Sequence, residues 1–163
     1  MPYKTDGDET LKKINSIVKE ILDSSIKQKG MTDAQILEEI YRYISNHYHY
    51  TKEHLPDGAF PPHAYTLETL LRHGVCHGYA ISMVYIFRYL QIPVYYISGD
   101  ADGGGFGGHA WNIVQIIDGS WRHFDMTWDL GGSGGNMRHL LLDDLGMKAR
   151  KHFWVALNYP ECA

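Results

Sequence analysis

The stretch from Gly74 to Ser98, GVCHGYAISMVYIFRYLQIPVYYIS, changes its hydrophobic period part-way, and that change decides the fold. From Cys76 to about Leu90, the apolar residues Tyr79, Ala80, Met83, Ile86, Phe87 and Leu90 recur at helical spacing and give one broad apolar face. Pro93 stops the helix. After it, Val94, Tyr96 and Ser98 alternate with Tyr95 and Ile97 at the period of a strand.

Upstream of this switch the chain reads as helix. Leu11, Ile14, Ile17, Val18, Ile21, Leu22 and Ile26 form one stripe, with a stop expected at Gly30. Thr32 opens a second helix, with Gln35 placed for a capping box and an apolar face of Ile36, Leu37, Ile40, Tyr43, Ile44 and His47. Tyr48 to Thr51 reads as extended, and Leu55-Pro56-Asp57-Gly58 with Pro61-Pro62 reads as loop. Thr66 is placed to cap a short helix, Leu67 to His73. Downstream, Ala110 to Ile116 is a second strand, Asp118-Gly119 a tight turn and Trp121 to Asp125 the return strand. Arg138 to Leu142 is expected as a further strand and the tail as mostly helical. Helices first and an antiparallel sheet after them is an α+β order. The expectation is a single domain over 1–163, with a helical part at 1–65 and the chemistry at 66–154.

Composition narrows the function. The 163 residues are 44% hydrophobic and 21% charged, as in folded globular domains. A net charge of −4 gives no electrostatic footprint for nucleic acid or an anionic membrane surface. No apolar run approaches the ~20 residues of a membrane helix. The polar N-terminus lacks a secretory apolar segment, so a cytoplasmic location is the default expectation. Two cysteines, Cys76 and Cys162, do not make a disulfide scaffold. Cys162 lies one residue from the end, where chains fray. There are ten histidines and seventeen glycines, many of the latter in Gly103–Gly108 and Gly131–Gly135. Neither run has a phosphate-loop pattern, so both are read as rims of a cleft or as surface turns.

Cys76 sits at a helix start, where the partial positive charge and free N–H groups favour thiolate, the nucleophilic form. Taken alone, it reads as a small buried apolar residue, and the flanking glycines tip the reading toward a nucleophile. Gly74 permits a sharp turn into the helix, and Gly78 leaves space for a substrate to approach. His109 begins a strand, which would hold an imidazole firmly enough to serve as a general base. Asp125 ends the strand paired with it, where a carboxylate can fix the imidazole tautomer. Asp129 competes for that role. The local clusters His47-x-His49 with His54, and His73-x-x-Cys76-His77, lack a zinc spacing, so no metal and no cofactor is expected.

Gly74-Val75-Cys76-His77-Gly78-Tyr79-Ala80 resembles the cysteine motif of the transglutaminase-like superfamily. Gly108-His109-Ala110-Trp111-Asn112-Ile113-Val114 resembles its histidine motif, and Trp121-Arg122-His123-Phe124-Asp125-Met126-Thr127-Trp128-Asp129 its aspartate motif. The order is Cys, His, Asp, with gaps of 33 and 16 residues. Leu140 to Asp144 and His152-Phe153-Trp154 resemble the segments beyond the aspartate motif in bacterial members of the cysteine peptidase and amidase type. The resemblance implies a papain-like α+β core with Cys76, His109 and Asp125 as catalytic set. Met126 stands where the family commonly has proline. Animal transglutaminases also use a tryptophan upstream of the cysteine at the oxyanion, and all four tryptophans here lie after Cys76.

The first oxyanion donor expected is therefore the Cys76 backbone N–H, with Tyr48, His49 and Tyr50 as candidates for the second. His77 and Trp128 are further cleft candidates. The activity implied is cysteine-dependent acyl transfer on peptide or protein amides through a thioester. Water is favoured over an amine as acceptor. The alternatives are a glutamine transglutaminase, a non-enzymatic interaction module, and a redox or metal-binding protein.

Overall fold

The computed structural model describes residues 6–102, 108–130 and 137–163. The two glycine runs, expected as cleft rims, lie outside the described residues except for Gly108.

Two helices come first, α1 (Asp6–Ser25) and α2 (Asp33–His47). The capping box forms as expected. Gln35 N–H donates to Thr32 Oγ1 at 3.3 Å, and the Gln35 side chain accepts from Thr32 N–H at 2.9 Å. The expected loop contains a 3₁₀ turn at Pro62–Tyr65, and the short helix is one turn long, α3 (Thr69–Arg72). Then comes α4 (Cys76–Tyr89), whose apolar face buries Tyr79, Met83, Ile86 and Phe87 completely.

Among the described residues the sheet has five strands in the order β4-β3-β2-β1-β5, and every neighbouring pair is antiparallel. They are β1 (Val94–Ala101), β2 (His109–Gln115), β3 (Trp121–Phe124), β4 (Leu140–Leu142) and β5 (His152–Phe153). Helix α4 packs on β1 and β2. The core between the helices and this sheet joins Ile14, Val18 and Ile21 of α1 to Leu37, Ile40 and Ile44 of α2, with Val114 and Phe124 from the sheet. Each such side chain fully buried contributes about 1.5–3 kcal/mol.

The end of the chain differs from expectation. The helical part there is α5 (Asp144–Ala149), capped by Asp143, which accepts from Gly146 N–H, and a 3₁₀ turn at Ala156–Asn158. The next residues form β5 along the edge of β1, with Ala101 opposite His152. A two-residue strand has no readable period, so the sequence pattern could not show it. Cys162 is not frayed but 2% exposed, and its carbonyl accepts from Asp144 N–H at 2.8 Å. Among the described residues, no helix is long and apolar enough to cross a membrane.

Candidate active site

Cys76 is the first residue of α4, and the turn that carries it is tightly built. The left-handed residue is His73, with φ 70°, rather than Gly74. Both glycines are needed for close approach instead. A Cβ on Gly74 or Gly78 would sit 2.1 or 2.0 Å from Thr69 Oγ1 and 2.6 or 2.3 Å from the Ala64 carbonyl oxygen. The space at Gly78 is thus filled by the protein itself, which corrects the expectation that it admits substrate. Val75 N–H donates to the Ala64 carbonyl at 3.0 Å, and Thr51 N–H to the Gly74 carbonyl at 2.9 Å. The second bond, with the bridge between Tyr50 and Gly74, stitches the extended stretch after α2 beside Cys76.

That stitching separates the three oxyanion candidates. The Tyr50 hydroxyl lies near enough to Cys76 that both the main chain and the thiol of that residue bear on its protonation. Burial first, and the charge on Cys76 second, push this hydroxyl up to about 12, so it stays protonated at ordinary pH. Tyr48 instead donates to the Leu70 carbonyl at 2.9 Å. His49 packs its ring on His73, with centroids 3.7 Å apart, and its carbonyl accepts from the Tyr79 hydroxyl at 2.6 Å. Tyr50 is thus the one of the three beside Cys76, while its two predecessors hold the turn.

Strand β2 delivers His109. Buried Asn112 on the same strand donates to the Ala80 carbonyl of α4 at 3.0 Å. This bond locks the strand that bears the imidazole against the helix that bears the thiol. Asp125 comes directly after β3, one residue past the last ladder pair, Asn112 with Phe124. Its backbone N–H donates to the His139 carbonyl at 3.0 Å, and its own carbonyl accepts from Tyr41 of α2 at 2.7 Å. The N-terminal helices therefore help to place this carboxylate.

Asp125 is completely buried and its two oxygens divide the work. Oδ1 accepts from Thr127 N–H at 3.0 Å, so the loop-capping role is real. Oδ2 lies 2.6 Å from His109 Nε2. That leaves the other ring nitrogen of His109 for the Cys76 thiol, which lies near enough to favour a charge on the ring. Burial opposes a charge on His109, but the hydrogen bond to Asp125, then the Cys76 thiol, outweigh it and push the imidazole up to about 9. Burial would raise Asp125 in turn, and hydrogen bonds from His109 and His152 hold it below the usual carboxylate range.

Two further candidates border this line of groups. His77 Nδ1 is 3.4 Å from Cys76 Sγ, so two imidazoles flank the thiol. Burial first, then the nearby His109 charge, hold His77 below the ordinary histidine value, so His109 carries the proton. Trp128 Nε1 lies 3.1 Å from His109 Nε2 and its ring meets His109 edge-on. Asp129, the competitor for Asp125, accepts from Tyr41 and from His139 N–H, the latter at 3.1 Å, and so fixes the turn instead.

Sequence reading missed His152. Its Nε2 lies 2.9 Å from the same Asp125 Oδ2, and the side chain is fully buried. The sequence offered only its place in the motif after Asp144. Among the described residues, His109, Asp125 and His152 form one of two groups whose ligand atoms cluster, and His123, Asp144 and Cys162 form the other. Neither contains the local histidine clusters of the sequence. Two ligands on one tetrahedral zinc stand about 3.3 Å apart. The 2.6 Å contact is the length of a hydrogen bond instead. In the other group, His123 Nδ1 accepts from Trp111 Nε1 at 3.0 Å, which leaves the ring proton on Nε2, facing Asp144 at 2.9 Å. That tautomer has no free nitrogen for a metal.

With this geometry in view, the comparisons with known proteins are direct. The sequence profile of the transglutaminase-like superfamily matches residues 20–126. That span is well over half the chain and includes Cys76, His109 and Asp125; the chain belongs to this superfamily. Among solved structures, a TGase superposes with a TM-score of 0.62 at 19% identity, over 82% of this chain and 36% of that one. A protein from Cytophaga hutchinsonii, provisionally described as a cysteine protease, superposes with a TM-score of 0.50 at 23% identity, over 82% of this chain and 47% of that one. The chain thus spans less than half the length of either neighbour, and at these identities the likeness is one of fold. No curated protein sequence matches the chain.

Proposed function

We propose that the protein is a cysteine-dependent acyl-transfer enzyme acting on amide or carboxamide groups of peptides or proteins, with water as the favoured acceptor. The observation that carries this reading is the placement of His109, which Asp125 holds by a 2.6 Å hydrogen bond and whose charged form the neighbouring Cys76 thiol also favours.

The Cys76 thiolate attacks the amide carbonyl carbon, and the carbonyl oxygen becomes an oxyanion. The Cys76 N–H at the start of α4 and the Tyr50 hydroxyl are the two donors that meet it. As the tetrahedral intermediate collapses, the C–N bond breaks and His109 gives its proton to the departing amine. Asp125 keeps the imidazole aimed and stabilises its charged form. Water then attacks the thioester, His109 takes the proton from it, and the acid leaves as the thiolate returns. Trp128 is 44% exposed, so the wall it makes beside His109 leaves the acyl group open to water. The second reading, transfer to a primary amine, would need Trp128 to shield the thioester from water.

Casein incubated with a labelled primary amine, followed by mass spectrometry, separates the readings. Deamidated or cleaved product should dominate at high amine concentration and vanish in Cys76→Ala. Mainly amine-linked product, lost in the same variant, would make the protein a transglutaminase. Turnover that survives Cys76→Ala would end both readings.

A further inference from the structure

Asp125 serves two imidazoles, and the proposed mechanism uses only one. His152 Nε2 stands 2.9 Å from Asp125 Oδ2, while its Nδ1 stands 2.9 Å from the Arg150 carbonyl oxygen. A carboxylate oxygen can only accept, so His152 Nε2 is the donor toward Asp125. Strand β5 brings it there through two residues paired to the edge of β1.

The ring is packed on every side. Trp111, Trp128, His109 and His139 lie with ring centroids 5.3, 5.5, 5.4 and 5.5 Å from it. The titratable groups facing it are Asp125, His109 and His139. His123 stands beyond Trp111, whose ring meets both histidines. On its own segment, Lys151 points away to an ion pair with Asp102 at 3.4 Å, and Asp100 sits on the paired strand.

We infer that His152 is a positioning residue that acts through Asp125, sharing Oδ2 with His109 and so setting how strongly the carboxylate holds the His109 proton. The inference rests on the proposed roles of Cys76, His109 and Asp125. Its physical basis is the sharing of one acceptor. A carboxylate oxygen that accepts from two N–H groups binds each less tightly than it would bind one alone. Without the second donor, Oδ2 would turn wholly to His109 and raise its proton affinity. The carboxylate would also lose one of the three bonds that fix its rotamer. A histidine that merely filled space would do neither.

The test needs no substrate. Iodoacetate is drawn to a thiolate beside a positive imidazolium, while neutral iodoacetamide is not. The ratio of the two labelling rates at Cys76 therefore falls as His109 loses its proton. In the wild-type protein that fall marks the titration of His109. His152→Phe keeps a ring but removes the donor, and should move the fall to higher pH by about half a unit or more. His152→Gln restores a donor toward Asp125 and should return the fall toward the wild-type position. A folded His152→Phe protein whose ratio falls where the wild type's does would reduce His152 to packing and overturn the inference. Should His152→Phe not fold, ¹⁵N NMR of the histidines in wild type and His152→Ala decides: an unchanged His109 titration overturns it and an upward shift supports it. A wild-type ratio that is flat with pH would instead remove the Cys76–His109 pair, and with it the reading on which the inference stands.

Discussion

The molecule holds two trios of the same three residue types, Cys76–His109–Asp125 and Cys162–His123–Asp144, and Trp111 touches both. Its ring stacks on His109 with centroids 5.6 Å apart, while its Nε1 donates to His123. In the second trio everything is spoken for. His123 has a donor on one nitrogen and Asp144 on the other. Burial, the strongest influence, holds His123 below the ordinary histidine value, and burial with the Asp144 charge pushes the Cys162 thiol up to about 12. In the first trio the histidine goes the other way, up to about 9, because Asp125 and Cys76 both favour its charged form. The thiol there starts a fourteen-residue helix rather than lying against a carboxylate. The comparison teaches that the charge a histidine in such a trio favours is set not by the residue types but by which neighbour each faces.

The largest effect expected is at the two thiols. Cys76→Ala should lower turnover by about 10⁴-fold or more, as removing the nucleophile does in enzymes of this kind. Cys162→Ala should leave turnover within about twofold and appear instead as a lower Tm, by a few degrees for the ~1–2 kcal/mol of a lost buried contact. Turnover assays and thermal melts on both variants check this. If Cys162→Ala lost turnover while still folded, the contrast between the trios would fail.

The carboxylates come next. Asp125→Asn should cost up to about 10⁴ in kcat, because the amide favours the wrong imidazole tautomer. Asp144→Asn should cost stability and little rate. Steady-state kinetics alongside urea unfolding read the two outcomes separately.

Among the tyrosines, Tyr50→Phe should lower kcat by about 10²-fold, the scale of one oxyanion donor, with KM little changed. Tyr48→Phe should leave kcat alone, since its hydroxyl serves the Leu70 carbonyl. Equal losses in the two would remove Tyr50 from the oxyanion site.

The smallest effect is in pH. The raised His109 is protonated below about 9, so its attraction to Asp125 is fully present below the unfolded histidine value and is lost as pH rises through about 9. The first step needs that proton, and kcat/KM should therefore fall along an alkaline limb near there. In Asp125→Asn the limb should move to lower pH, because an anion that favours the proton has gone. A limb that stayed in place would show that Asp125 does not set the charge on His109.

These contrasts also show what the sequence could and could not reveal. The helix from Cys76 was legible because fourteen residues repeat an apolar face, and the β2–β3 hairpin because Asp118-Gly119 interrupts two strand periods. Cys76, His109 and Asp125 were legible as three motifs in order. The choice among Tyr48, His49 and Tyr50 was not, since it depends on one bridge to Gly74 across 24 residues. His152 was hidden for a like reason: a two-residue strand carries no pattern, and its partner lies 27 residues away. Gly78 was misread because the groups that fill its space, Thr69 and Ala64, become its neighbours only after folding.

The central claim is that Cys76 is activated by its neighbours and Cys162 is silenced by its own. Limiting iodoacetamide at pH 6, with both cysteines followed by peptide mass spectrometry, tests it most directly. Cys76 should label first by a wide margin. His109→Ala should slow Cys76 severalfold and leave Cys162 as it was. Equal labelling of the two cysteines in the folded protein, unaffected by His109→Ala, would contradict the account.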